Sequence, residues 1–251
     1  MPRLLAKLAL TTLLVLLPAR TLAADVTVAV AANFAAPMKL IVADFERNTA
    51  HKVTLAFGAS GQFYAQIRHG APFEMLLSAD DDVPRKLERE GLAVPGTRFT
   101  YAVGRLALWS RDPQLIDVNG DVLRSGRFER LAIANPKLAP YGRAATEVIE
   151  RMKLTESLAT RIVQGTNISQ AFKFVASGNA ALGFVAVSQV VEDGQLTGGS
   201  VWFVPTNLHA PIKQDAVLLA KARDNPAALA LLDHLKGDRA KTIIRSFGYE
   251  I

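Results

Sequence analysis

Gly58-Ala59-Ser60-Gly61-Gln62 is the stretch with the most chemistry in it. The apolar run Val53 to Phe57 leads into it. A helical pattern follows, with Phe63 and Ile67 four residues apart. The stretch therefore reads as a strand, a tight turn of small residues and a helix start carrying a hydroxyl. Backbone N–H groups in the first turn of a helix have no partner within it, and the helix dipole adds partial positive charge there. Such a turn can hold a small anion without a cation. It can also present a serine nucleophile, but the hydrolase elbow G-x-S-x-G needs glycine where Gln62 stands. His51, His69, His209 and His234 fall in no triad pattern either. Asn33, at the end of the apolar run Val26 to Ala32, is a second short neutral residue between a strand and a helix. Helix capping and anion binding both fit Asn33 and Ser60, because the two roles use one geometry.

Other motifs support less. Asp80-Asp81-Asp82 lacks the glycine and glutamate spacing of a calcium loop. Gly178 to Gly183 has the glycine spacing of a phosphate loop, but Phe184 replaces the lysine. The chain has no cysteine, which excludes a disulfide framework and thiolate metal sites. Arg143 either adds charge near an anion or is exposed at a helix start.

The elements that must position these turns alternate along the chain. The run Val26 to Ala32 is apolar but for Thr27, as in a strand buried on both faces of a parallel sheet. A helix from Ala35 to Arg47 follows, then the strand Val53 to Phe57, the helix after Ser60, a strand from Met75 to Ser78 and a helix from Val83 to Glu90. One strand, Ala102 to Trp109, is expected to cross into a second lobe, followed by an irregular stretch from Ser110 to Gly126. That lobe repeats the layout: a strand at Leu131 to Ala134, a helix from Tyr141 to Met152, a short helix near Leu158, a helix from Ser169 to Ser177, and strands at Ala181 to Val187 and Val201 to Val204. Its turns at Tyr141-Gly142 and Asn167-Ile168 can also present N–H groups. Ala216 to Ala220 reads as the strand returning to the first lobe, and helices from Pro226 and Asp238 close the chain. The expected fold is α/β with two lobes, each a mainly parallel sheet flanked by helices, and a ligand cleft between them that closes by a hinge. The expected boundaries are residues 25–104 with 214–251 for lobe I and 105–213 for lobe II.

The N-terminus reads as a secretory signal over residues 1–24. Arg3 and Lys7 precede the uncharged run Leu8 to Leu17, and Thr21-Leu22-Ala23-Ala24 offers small residues for cleavage. The run is short of the about 20 apolar residues that span a bilayer. The mature protein is thus expected to be soluble outside the cytoplasm. The 251-residue chain carries 29 basic and 23 acidic residues. Without Arg3, Lys7 and Arg20 the balance falls from +6 to +3. The basic residues are scattered rather than interleaved with aromatics, which argues against nucleic-acid binding.

Several anchored stretches, in order and at consistent spacing, now carry a resemblance. They are Ala31-Ala32-Asn33-Phe34, Phe57-Gly58-Ala59-Ser60-Gly61, Gly70-Ala71-Pro72, Ser78-Ala79-Asp80, Ala139-Pro140-Tyr141-Gly142-Arg143-Ala144-Ala145, Gly178 to Val185 and Phe247-Gly248. Over essentially the whole mature chain, the sequence resembles the periplasmic molybdate-binding proteins of ABC importers. The resemblance implies a periplasmic, monomeric, non-enzymatic solute-binding protein. It would capture molybdate or tungstate, use no cofactor, and deliver the oxyanion to an ABC permease in the inner membrane. By position, Asn33 and Ser60 would bind through side chains and N–H groups, Tyr141 through its N–H and its hydroxyl, and Ile168 through its N–H. Molybdenum would be present only as the oxyanion, with no direct protein–metal ligand. In one family pattern a tyrosine ligand follows the Gly-Phe-Val stretch; Ala186 stands there, so a hydroxyl on Tyr141 would take that role. The alternatives are another oxyanion, such as sulfate or phosphate, and a serine hydrolase using Ser60.

Overall fold

A computed structural model describes residues 23–251. Of the signal expected over residues 1–24, all but Ala23 and Ala24 lies outside the described residues. The chain forms two five-stranded sheets, each flanked by helices.

The first sheet begins with β1 (Asp25–Ala31), whose side chains from Val28 onward are all buried. A single 3-10 turn, Ala32–Phe34, leads into α1 (Ala35–Asn48). Then come β2 (Lys52–Gly58), α2 (Ser60–Arg68), β3 (Met75–Leu77), α3 (Asp82–Arg89) and β4 (Phe99–Gly104). Strands β1, β2 and β3 pair in parallel, with β1 in the middle of the three. The β1–β2 and β2–β3 connections each contain a helix, the usual crossover between parallel strands.

The strand expected over Ala102 to Trp109 is two strands, interrupted at Arg105. One half, β4, belongs to the first sheet, and β5 (Leu106–Ser110) belongs to the second. Gly104 sits at the break because a side chain there would collide: a Cβ would lie 2.2 Å from Tyr141 Oη and 2.4 Å from Gln214 Nε2. The irregular stretch after β5 contains a four-residue helix, α4 (Val122–Ser125). The second sheet continues with β6 (Leu131–Ala134), α5 (Pro140–Arg151), α6 (Thr155–Leu158), β7 (Ile162–Gly165), α7 (Ile168–Ala176) and β8 (Leu182–Ala186). A small hairpin of β9 (Val191–Glu192) and β10 (Gln195–Leu196) precedes β11 (Ser200–Phe203). The order in this sheet is β11-β5-β8-β6-β7; β6 is parallel to β7 and β8, whereas β5 is antiparallel to β8 and β11.

The chain then returns. Strand β12 (Ile212–Leu218) starts four residues earlier than the apolar run from Ala216 suggests, because its polar first half, Lys213-Gln214-Asp215, pairs with β4. It inserts between β3 and β4, antiparallel to both. Helices α8 (Pro226–Lys236) and α9 (Asp238–Ser246) cover this sheet, α8 capped by Asn225 Oδ1 accepting from the N–H groups of Ala227 and Ala228. The first sheet is covered on both faces, by Phe34, Met38, Phe45 and Leu231 on one and by Phe63, Ile67 and Leu87 on the other. The second lobe's core runs on through Ala31, Ala32, Ala59 and Ala79, the small residues at the strand ends of the first lobe. The lobes therefore meet at the carboxyl ends of the strands, where open α/β sheets take ligands.

Candidate functional site

Four strand-to-helix junctions converge at that meeting. The 3-10 turn after β1 brings Asn33, and α2 brings Ser60 as its first residue. From the other lobe, α5 brings Tyr141 directly behind Pro140, and α7 brings Ile168 as its first residue. All four line one cavity, together with Ala31, Ala32, Gly58, Ala59, Ala79, Ala139, Pro140 and Asn167. It offers about 10 Å³ for the centre of a water-sized sphere, the scale of one water molecule. Each of the four is between 1 and 3 % exposed.

Local sequence explains each start. Proline at the first position of α5 has no N–H to lose and is set for a helix. Asn167 caps α7, its Oδ1 accepting from Gln170 N–H at 3.0 Å. Ser60 differs from the capping role that its type suggests. Ala59 is the capping residue of α2, and Gln62 Oε1 accepts from the Ala59 N–H. Ser60 Oγ instead accepts from Ala79 N–H at 2.9 Å, which leaves its own proton to donate. Asn33 likewise lies within the 3-10 turn and makes no capping bond. Among the described residues, the backbone N–H groups of Asn33, Ser60, Tyr141 and Ile168 have no protein acceptor. Helix starts of this kind favour negative charge. No Asp, Glu, Lys, Arg or His lines the cavity.

Side chains behind the cavity are organised differently. The Asn33 amide spends both protons there, on Gln214 Oε1 at 2.8 Å and Tyr249 Oη at 2.9 Å. The Tyr141 hydroxyl accepts from Gln214 Nε2 at 3.1 Å. Burial pushes the hydroxyls of Tyr101 and Tyr141 well above the ordinary tyrosine range and that of Tyr249 up to about 12, so all three stay protonated at neutral pH. Ala186 ends β8, fully buried and outside the cavity wall; its N–H donates to Gln189 Oε1.

Three contacts clasp the lobes around the cavity. Gly61 N–H donates to Leu138 O at 2.9 Å, Ser169 Oγ donates to Ala32 O at 3.1 Å, and Arg143 Nη2 meets Asp80 Oδ2 at 2.7 Å. Arg143 thus belongs to the rim, paired rather than simply exposed. Asp80 is held for it by Ser78 Oγ and Val83 N–H, both donating to Oδ1. The approach at Gly61 is close: a Cβ there would lie 3.0 Å from Leu138 O. Among the described residues, no group of three or more His, Asp or Glu is placed to hold a metal ion, and no helix is long and apolar enough to cross a membrane.

Two lobes of mostly parallel sheets, joined by two crossings and closed over a neutral cavity at their strand ends, make the framework of a solute-binding protein. The family model for bacterial extracellular solute-binding proteins matches residues 26–250. The chain is 58 % identical over 227 residues to the molybdate-binding protein ModA of Azotobacter vinelandii, covering 90 % of each chain. It is 54 % identical over 227 residues to the ModA of Rhodobacter capsulatus, covering 90 % of this chain and 88 % of that one. The solved periplasmic molybdate-binding protein of Azotobacter vinelandii superposes with a TM-score of 0.87 at 40 % identity, over 90 % of this chain and 99 % of that one. The chain belongs to the molybdate-binding proteins of the bacterial extracellular solute-binding family.

Proposed function

We propose that this protein captures molybdate, and tungstate with it, in the closed cavity and delivers the oxyanion to an ABC transporter permease from the periplasm, as a monomer. The observation that carries the reading is the set of four helix starts around a small cavity lined by no ionisable carboxylate, ammonium or guanidinium. A dianion that is already deprotonated needs donors only. The names of the relatives that share 58 % and 54 % of the sequence support molybdate as that dianion. We assign the ligand contacts to Asn33, Ser60, Tyr141 and Ile168. Ser60 would give its hydroxyl and N–H. The other three would give N–H groups, since both Asn33 amide protons are taken behind the cavity and the Tyr141 hydroxyl lies there too, against Gln214. Residues 25–104 with 214–251 would move as one lobe and 105–213 as the other, hinged at the break between β4 and β5.

The protein acts as a binder and not as an enzyme in this reading. Ser60 Oγ is engaged by Ala79 N–H, and the four histidines have other neighbours: Ala24 N–H for His51, Ala65 O for His69, Ala210 O for His209 and Asp44 for His234. Calorimetry and thermal shift of the mature protein with molybdate, tungstate, sulfate and phosphate test the proposal. Molybdate and tungstate should raise Tm with concentration, as expected for a ligand of the native state. A response to sulfate or phosphate with none to molybdate or tungstate would overturn it.

A further inference from the structure

Behind the cavity lies a buried polar cluster whose own hydrogen bonds are not among the anion contacts. It joins Asn33, Tyr101, Gln214 and Tyr249 of the first lobe to Tyr141 and Ser188 of the second. Gln214 Oε1 accepts from Asn33 Nδ2 at 2.8 Å and lies 2.9 Å from Tyr101 Oη, while Gln214 Nε2 donates to Tyr141 Oη. Tyr249 Oη accepts from Asn33 Nδ2 and lies 2.9 Å from both the Asn33 carbonyl oxygen and Ser188 Oγ. Ser188 Oγ donates to the same Asn33 carbonyl at 2.9 Å. Neither Gln214 nor Tyr249 lines the cavity.

Two features of the backbone fit the cluster. Strand β12 shifts register between Gln214 and Asp215, a bulge of the kind that re-aims a side chain. Both residues are fully buried as a result, Asp215 facing Arg98 and Thr100 and Gln214 facing Asn33 and Tyr141. Gly104 leaves the space in which Tyr141 Oη and Gln214 Nε2 meet. The last residues are tied in as well, since Glu250 and Val103 exchange backbone hydrogen bonds beside Tyr249.

We infer that Gln214 and Tyr249 are positioning residues for oxyanion capture: they fix the Asn33 turn and bond to the second lobe only when the cleft is closed, so they set how slowly a captured anion leaves. This rests on the oxyanion reading above. Within the first lobe the bonds of Asn33 to Gln214 and Tyr249 need no closure. The bonds that require it are Gln214 to Tyr141, Tyr249 to Ser188, and Ser188 to the Asn33 carbonyl. Opening the cleft breaks all three in one low-dielectric region, where unpaired polar groups are costly. Their loss should therefore speed opening and spare the encounter.

The test is stopped-flow and calorimetric binding of molybdate to the mature chain and to Tyr249→Phe, Gln214→Leu and Ser188→Ala. Each variant should bind about fivefold to thirtyfold more weakly, through faster release at an unchanged association rate. The Tyr249→Phe/Ser188→Ala double variant should release no faster than the worse single one, because the pair acts as a unit. Wild-type release rates in the single variants would overturn the inference, as would weakening that comes from slower association alone. Should Tyr249→Phe or Gln214→Leu not fold, Ser188→Ala decides by the same readout. Wild-type binding with unaltered variants overturns this inference alone, whereas no molybdate binding by the wild-type chain overturns the oxyanion reading and this inference together.

Discussion

In the first lobe the cavity wall includes a side chain equipped for chemistry, Ser60, whose hydroxyl is fixed by Ala79 N–H with its proton left to give. In the second lobe the wall is built from backbone at Tyr141 and Ile168, and the polar parts of the neighbouring side chains look elsewhere: the Tyr141 hydroxyl to Gln214, the Asn167 amide to its own helix. The two halves of the site are thus unlike. One depends on a residue type, the other on where two helices begin. A helix start tolerates many side chains provided that its N–H groups keep their direction. Substitutions in the two lobes should therefore be felt unequally.

The sharpest way to break this picture is at the seam. Gly61→Val would set a branched side chain against Leu138, which a Cβ at Gly61 already meets at 3.0 Å. Molybdate affinity should fall about 100-fold, near the upper end of what overpacking costs, while ligand-free Tm stays close to wild type. Ser60→Ala removes one hydroxyl donor to a charged ligand and should weaken binding about 30-fold by calorimetry. Arg143→Ala removes a rim ion pair whose arginine side chain is 47 % exposed. Screening limits such pairs to about 1 kcal/mol or less, so affinity should change by about threefold and the change should shrink in high salt. Ile168→Val keeps the backbone donor and should alter affinity by less than about twofold, the lost methylene of this buried side chain being felt in stability instead, at about 1 kcal/mol. A loss at Ile168→Val as large as that at Ser60→Ala would refute the asymmetry.

The same asymmetry decided what could be read from sequence. Small residues after an apolar run announced the Ser60 turn, and the alternation of strands and helices announced two lobes. Ile168 was legible only as part of the Asn167-Ile168 turn, because an N–H is common to every residue but proline; the family resemblance singled it out as a ligand. Ser60 was legible as a helix start, but not as the residue after the cap, since capping depends on which neighbour takes up extended backbone. The break at Arg105 did leave a mark, Gly104-Arg105 in the middle of an otherwise apolar run, but a glycine inside a strand pattern fits a bulge as well as a break. The cluster behind the cavity was illegible for another reason. Gln214 and Tyr249 lie 181 and 216 residues from Asn33 along the chain, and no local pattern links positions so far apart.

The placement of β12 has a consequence for the order in which the molecule assembles. All five strands of the second sheet come from residues 106–203, so that sheet can complete itself once this stretch is available. The first sheet cannot, because β12 must slide between β3 and β4, and its residues come near the end of the chain. Pairings of such long sequence separation form slowly, after the cost of closing a long loop has been met. Completion of the sheet that carries Ser60 therefore waits on the end of the chain, whereas completion of the other does not.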